Sequence, residues 1–544
     1  HQKRRYGPFG LCRSMVPVTV EGYSYKGCCL YCIPVDEIRR ILREPNLSLT
    51  IILPERNFPL TVLNSLPLEE SEEINFHQKQ SPMKLIFSSL YFQILLAITI
   101  VSLGAVLVLI GITRAKMPEP WVSKPPSTAP SSSPSKPVMQ WKFSAEIKSH
   151  HASFGYRVKL SSDGTILAVS SPKFEEGRGR VDVYKLQSTS GQKTWYHIDP
   201  LLGTKDSGTA VGDLMSLGMA LSGDGLTLAV GSPGKQNGLV DTYKINPNTM
   251  TFTAKGNQLE GLMPQCQFGY SVALNNDGTR LFVGAPNDGM METERYGFVR
   301  AYDYNYTTDS WTQIGSIMIG DHIGSRFGHS VSSADDGNRI IIGAPRHSSR
   351  FENAGKVHFY MLDPQVQLWY QYPKTVPMGE TVDAQLGSRV ATTANGKMSV
   401  TSAKDDPDMA LHSNFGIVYA HFYDAILNIV DYLAYPLTGT LQNSSFGYDV
   451  DISNLGDILL VSEQNTQRTA GTVRAYHNNV IFHQEGEIVG PTLGLCDDSL
   501  GNGPSVSLAS VEKATMAIGY ECLLSNGLST SEVRIYDYYY FVDD

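Results

Sequence analysis

Asp405-Asp406-Pro407-Asp408 is the polar group most suggestive of chemistry in this chain. Asp405, Asp406 and Asp408 put three carboxylates on one short connection, a start for a calcium site or a contact for a basic ligand. Calcium is held by six to eight oxygens spread along a loop, so a solvated acidic loop is expected, with no metal and no cofactor. Cys12, Cys28, Cys29 and Cys32 cluster near the start. Zinc sites usually need a second Cys-x-x-Cys or a His pair, and reduced or lipidated thiols are expected instead. His150-His151 reads as a solvated pair in a connector. The sequence holds no Gly-x-Ser-x-Gly elbow, His-Glu-x-x-His helix or Gly-Lys-Ser/Thr phosphate loop, so no catalytic residue is nominated and an enzyme is not expected. Sequons stand at Asn305, Asn443 and Asn46.

These residues sit on a repeat. One copy reads Phe268-Gly269-Tyr270-Ser271-Val272, then Asn276-Asp277-Gly278, Val283-Gly284-Ala285-Pro286 and Gly297-Phe298-Val299-Arg300-Ala301-Tyr302. The next reads Phe327-Gly328-His329-Ser330-Val331, Asp335-Asp336-Gly337, Ile342-Gly343-Ala344-Pro345 and Gly355-Lys356-Val357-His358-Phe359-Tyr360. Seven copies begin near Phe154, Leu217, Phe268, Phe327, Leu386, Phe446 and Gly503. A repeat of this length built of short strands signals a solenoid or propeller. Each copy predicts four strands. The first alternates, as strands do. An Asp-Gly or Asn-Gly turn follows, suited to the positive φ of a tight hairpin. The second is a continuous apolar run, which fits burial on both faces. The third opens Gly-x-Val, and the fourth carries an aromatic, as in Trp311 and Trp369.

The seventh copy ends after its third strand, Arg534-Ile535-Tyr536-Asp537. A matching fourth strand stands ahead of the first copy, at Trp141 to Ile147. A strand displaced to the front would close a ring and remove the free sheet edge at the seam. The expected fold is all-β: a closed seven-bladed β-propeller over 139–544, in preference to an open β-solenoid or two sandwiches.

The Phe-Gly, Val-Gly-Ala-Pro and Gly-x-Val-x-x-Tyr phrases resemble the FG-GAP repeats of the integrin α-subunit propeller. The likeness covers about three quarters of the chain. It is most specific in blades 3 and 4, and weaker in blades 2, 5 and 7. It looks closest to shortened FG-GAP repeats of surface proteins. Integrin-type repeats often carry a calcium loop between the first two strands. Here that place holds only a short turn, such as Asn275 to Thr279. The resemblance therefore implies the fold without calcium at those turns. It also implies that the connections bearing Cys496 and Cys522 emerge on one face, where a disulfide between them is expected; Cys266 is left over.

The rest of the chain places the propeller. Residues 1–84 form a small N-terminal segment, expected in the cytosol. Leu85 to Ile112 carry no formal charge, and the span 85–113 is long enough for one transmembrane helix. Residues 114–138 are rich in Pro and Ser, the composition of a semi-rigid stalk. Lysines and arginines are nearly balanced across the span and set no orientation. The stalk and the integrin-like propeller favour a single-pass type II signal-anchor arrangement, with the propeller extracellular or lumenal. The chain carries 53 acidic against 44 basic side chains, net −9, with the acidic excess in the propeller. Such a surface repels nucleic acid.

Strand phrases repeat because they build a scaffold; the connections after the second strands do not repeat. Recognition is usually placed on such loops. Met290, Met291, Tyr296, Arg346, Arg350 and Phe351, with the Asp405 loop, are the expected partner-binding residues, being of types enriched at interfaces. A surface protein that binds a protein or glycan ligand, as in adhesion, is the expected function. The alternatives are a structural subunit of a larger membrane assembly and a propeller hydrolase or lyase.

Overall fold

A computed structural model of the 544-residue chain describes residues 18–20, 23–25, 49–52 and 59–62, and residues 138–541 apart from 191, 204–212, 288–295, 374–375, 405–406, 409–412, 426–427, 434–435, 440–443, 465–470, 479–481, 490–502, 511–513 and 522–530. Residues 1–127 and 128–544 are two separate units. In the first, Val18–Val20, Tyr23–Tyr25, Leu49–Ile52 and Pro59–Val62 form an antiparallel sheet in which Val18–Val20 and Leu49–Ile52 are central. The expected membrane span (85–113) and stalk (114–138) lie outside the described residues, except Val138, which belongs to the strand Val138–Ser149 and not to the stalk. Among the described residues no helix is long and apolar enough to cross a membrane.

The second unit is a seven-bladed β-propeller. Each repeat becomes one antiparallel sheet whose strands pair in sequence order. In blade 4 these are Ser330–Ser333, Arg339–Ala344, Lys356–Asp363 and Leu368–Gln371. The seventh sheet is Ser505–Ala509, Thr515–Tyr520, Ser531–Phe541 and then Val138–Ser149 from the front of the chain. That last pairing runs from Ser531 opposite Ser149 to Phe541 opposite Val138. The expected seam strand is therefore present, and it extends beyond Trp141 to Ile147 at both ends.

First strands of successive blades touch one another, and that of blade 7 touches that of blade 1, so the ring closes around an axis. Between the blades lie seven apolar clusters among the described residues, each shared by two neighbours. The one joining blade 7 to blade 1 contains Ala517, Val533 and Ile535 with Phe154, Val158 and Leu167. Burying these faces drives closure. The Phe of each Phe-Gly plugs such an interface, and Phe154, Phe268, Phe327 and Phe446 are all fully buried. The continuous apolar second strands are buried along their whole length, as in Ile166–Ser171 and Ile458–Glu463.

Sterics explain the remaining constant residues. Gly387 takes φ +90°, and its carbonyl lies where a methyl at Gly343 of the preceding blade would stand. A side chain fits neither position without displacement. Where a blade has Ser instead, as at Ser402, its hydroxyl accepts the Arg389 backbone N–H at 3.1 Å. The fourth-strand tryptophans bridge blades. Trp311 donates its indole N–H to Thr242 of blade 2 at 2.7 Å, and Trp369 donates to the Ile314 carbonyl of blade 3 at 3.1 Å.

Backbone hydrogen bonds separate two faces. On one, the first hairpins meet the ends of the third strands: Tyr304 N–H donates to the Thr279 carbonyl at 2.8 Å, and Leu362 N–H to Asn338 at 2.9 Å. These hairpins are also linked around the ring, for example Asn276 N–H to Asp335 at 3.1 Å and Asp335 N–H to Ala394 at 2.8 Å. On the opposite face, the connectors between blades bond to the glycines that open the third strands, such as Gly320 to Gly297 at 3.0 Å and Gly379 to Gly355 at 3.0 Å.

Candidate recognition face and channel mouth

The connection after the second strand of blade 4 belongs to the connector face. Arg346 N–H donates to the Ser325 carbonyl at 3.0 Å, which ties the loop to the connector from blade 3. Asp383 N–H donates to Glu352 at 2.8 Å, and the Asn353 amide donates to the Asp383 carboxylate at 2.8 Å, which ties it to the connector toward blade 5. The loop is thus held at both ends on a rigid frame. The Arg350 guanidinium lies 5.6 Å from the centre of the Phe351 ring, and Phe351 is 39% exposed. An exposed aromatic beneath a cation is a compact amphipathic contact.

Beneath this loop sits a cluster that the repeat pattern did not nominate. Asp321, in the connector, accepts from His347 Nε2 at 3.0 Å and from Lys356 Nζ at 2.5 Å, with His358 Nε2 at 3.7 Å. The His347 hydrogen bond, aided by Lys356 and His358, holds the Asp321 carboxyl well below the usual range despite partial burial. His358 is almost fully buried; burial first, then Lys356, pushes its pKa down to about 3, so it is neutral. The cluster fastens loop, connector and third strand together. Lys356 and His358 could be read as part of Gly-x-Val-x-x-Tyr, but Asp321 lies in a connector with no repeat to mark it.

The other expected contacts divide. Tyr296 is half-buried on the same face, where its carbonyl accepts from Ser325 Oγ at 3.0 Å. Met290, Met291, Asp405 and Asp406 lie outside the described residues. Asp408 falls in a small antiparallel ladder, Pro407–Asp408 against Ser413–Asn414. Among the described residues no group of three or more His, Cys, Asp or Glu could hold a metal. The turn carboxylates are used by their own hairpins: Asp163 Oδ1 accepts from Ser161 Oγ at 2.5 Å and from Thr165 N–H at 3.0 Å. Cys496, Cys522 and Asn443 lie outside the described residues. Cys266 is buried and donates its thiol to the Asn237 carbonyl at 2.9 Å. Asn305 is exposed in a hairpin on the opposite face, where its side chain accepts from Thr307 N–H at 2.8 Å. His151 is not simply solvated: its ring packs edge-on to Phe174 at 4.9 Å.

At the axis, the residue two places after the glycine of Phe-Gly turns inward. In blades 3, 4 and 7 it is Ser271, Ser330 and Ser505, each donating to the glycine carbonyl of the next blade at 2.7–2.8 Å. In blades 1, 5 and 6 it is Arg157, Arg389 and Asp449. Asp449 Oδ1 lies 3.6 Å from Arg157 and 3.4 Å from Arg389, while its Oδ2 accepts the Val506 N–H at 3.1 Å. Burial disfavours the charge on Arg157, but Asp449 and the flanking tyrosines outweigh it and raise its pKa. Tyr156 lies under Arg157 at 5.5 Å and Tyr448 under Arg389 at 5.9 Å. This set was open to sequence reading as three charged departures from a Ser in the repeat.

Protein-family models give no match to this sequence, and neither do curated protein sequences. Solved structures similar in backbone include the following three. The propeller of Dos1 has 12% identity and a TM-score of 0.41, over 73% of this chain and 95% of that one. The C-terminal WD40 domain of Sif2 has 13% identity and a TM-score of 0.40, over 74% and 99%. A periplasmic gluconolactonase from Pseudomonas aeruginosa has 16% identity and a TM-score of 0.39, over 62% and 84%. At such identities the likeness is one of fold, and the seven blades of this chain stand on their own strand registers and closed ring.

Proposed function

We propose that this chain is a single-pass membrane-anchored surface protein of the FG-GAP type, whose propeller recognises a protein or glycan ligand through its connector face. The observation that carries the proposal is the blade 4 loop. It presents Arg346, Arg350 and Phe351 from a frame pinned to connectors on both sides. Rigid presentation of aromatic and arginine side chains lowers the ordering cost of binding. The anchor is supported by the uncharged stretch Leu85 to Ile112 and the Pro/Ser-rich segment after it.

Intact cells carrying a tag at each end test the arrangement. External protease should remove the C-terminal tag, and an N-glycosidase should shift the band through Asn305 or Asn443. Loss of the N-terminal tag alone would place the propeller in the cytosol and end the adhesion reading.

A further inference from the structure

The mouth of the central channel holds more cation than its neighbours balance. Arg157 and Arg389 share one oxygen of Asp449, and the other oxygen of that carboxylate is taken by a backbone N–H. Arg389 Nε comes within 3.4 Å of Oδ1, yet it is buried and makes no hydrogen bond among the described residues. The nearby carboxylates are engaged elsewhere. Glu521 accepts from Ser153 Oγ at 2.7 Å and faces Lys173 at 3.9 Å, and Asp451 accepts from Leu508 N–H at 2.8 Å. His329 meets the Tyr270 hydroxyl at 3.2 Å through Nε2, while its Nδ1 is buried without a partner among the described residues. Burial, then Arg389 and Arg326, hold that ring neutral, with its pKa far below the ordinary value. Arg326 itself is depressed by burial and by Arg346, so further positive charge stands between the channel and the loop face.

Two guanidinium groups offer ten N–H donors; Arg389 Nη1 donates to the Ser388 carbonyl at 2.9 Å, while Arg389 Nε is left buried without a partner among the described residues. Two cations facing one carboxylate oxygen, with a buried donor unmet, leave room in their charge and hydrogen bonding for a further anion. A planar carboxylate suits the guanidinium fork best.

We infer that the channel mouth is a carboxylate-binding site, in which Arg157 and Arg389 hold one carboxylate of a small ligand, or of an acidic group on a larger one, beside Tyr156 and Tyr448. This goes beyond the recognition reading, and it would stand even if the loop face bound no partner.

The test is calorimetric titration of the full chain with sodium glucuronate, with glucose as its uncharged counterpart, and with N-acetylaspartate against N-acetylasparagine. The acidic member of at least one pair should bind and its neutral counterpart should not; which pair responds shows whether a sugar or an acidic side chain carries the group. Arg157→Gln and Arg389→Gln should each weaken binding at least about tenfold, since a charge-assisted fork is lost. Asp449→Asn should tighten it, because the competing carboxylate is neutralised while an amide oxygen can still accept from Val506. Lys244→Gln, an exposed position away from the channel, should leave it unchanged. Should either arginine variant fail to fold, the Asp449→Asn arm still decides the matter. No binding by either acid, equal binding of acid and neutral forms, or unchanged affinity in folded arginine and Asp449 variants would each overturn the inference.

Discussion

Gly343 shows how tightly single residues are specified here. Its hydrogen faces the Gly387 carbonyl and the Ser330 hydroxyl. Gly343→Ala should destabilise the propeller by about 3 kcal/mol, as overpacking against backbone does; chemical denaturation that finds no loss would refute the steric account. Histidines set the acid response. His421 and His358 are buried, and burial leads in lowering both to about 3. The unfolded chain takes up protons from about pH 6.5 downward while these folded histidines do not, so stability falls as pH drops from 6.5 toward 3. Each should lose about 2 kcal/mol between pH 6.5 and 5. Asp321 acts lower. Its folded carboxyl titrates below the ordinary value, so its contribution is complete above about pH 4 and is lost beneath it. Melting temperatures recorded from pH 7 to 4.5 should decline less steeply in His421→Gln than in the parent. Equal slopes would mean that His421 is charged in the fold.

At the scale of elements, the seam decides integrity. The strand Val138–Ser149 covers Ser531–Phe541 along eleven paired positions and brings Trp141 against Tyr538 at 4.8 Å. A chain lacking residues 138–149 should expose that edge and self-associate; a monodisperse, cooperatively melting truncated protein in size-exclusion and calorimetry would contradict this. Much at this scale was legible in the sequence. The Phe-Gly and Val-Gly-Ala-Pro phrases mark contacts that only glycine and a buried aromatic permit, so their recurrence gave the number of blades. The displaced Trp141 strand was legible because it copied the spacing of Trp311. The Asp321 cluster was not, because its members come from a connector, a loop and a third strand that meet only in the folded ring. The channel set was half legible: Arg157, Arg389 and Asp449 each break the repeat, but nothing in the spacing says that they converge on one axis.

For the whole molecule, the ring sorts its residues onto two faces. The hairpin face is bonded from blade to blade and built from repeated turns. The connector face carries the segments that differ between blades, together with the cationic channel mouth. Arg326 has its pKa lowered by burial first and then by the nearby Arg346. If recognition belongs to the connector face, as proposed, substitutions of equal chemistry on the two faces should have unequal effects.

That contrast is the measurement to make. The full chain with Arg346→Glu and Arg350→Glu is compared with one carrying Lys244→Glu and Lys397→Glu on the hairpin face, both verified as folded by their melting curves, in binding to cells or matrix. The account predicts that the connector-face pair abolishes capture and the hairpin-face pair does not. Capture retained by the first, or lost equally by both, would contradict it.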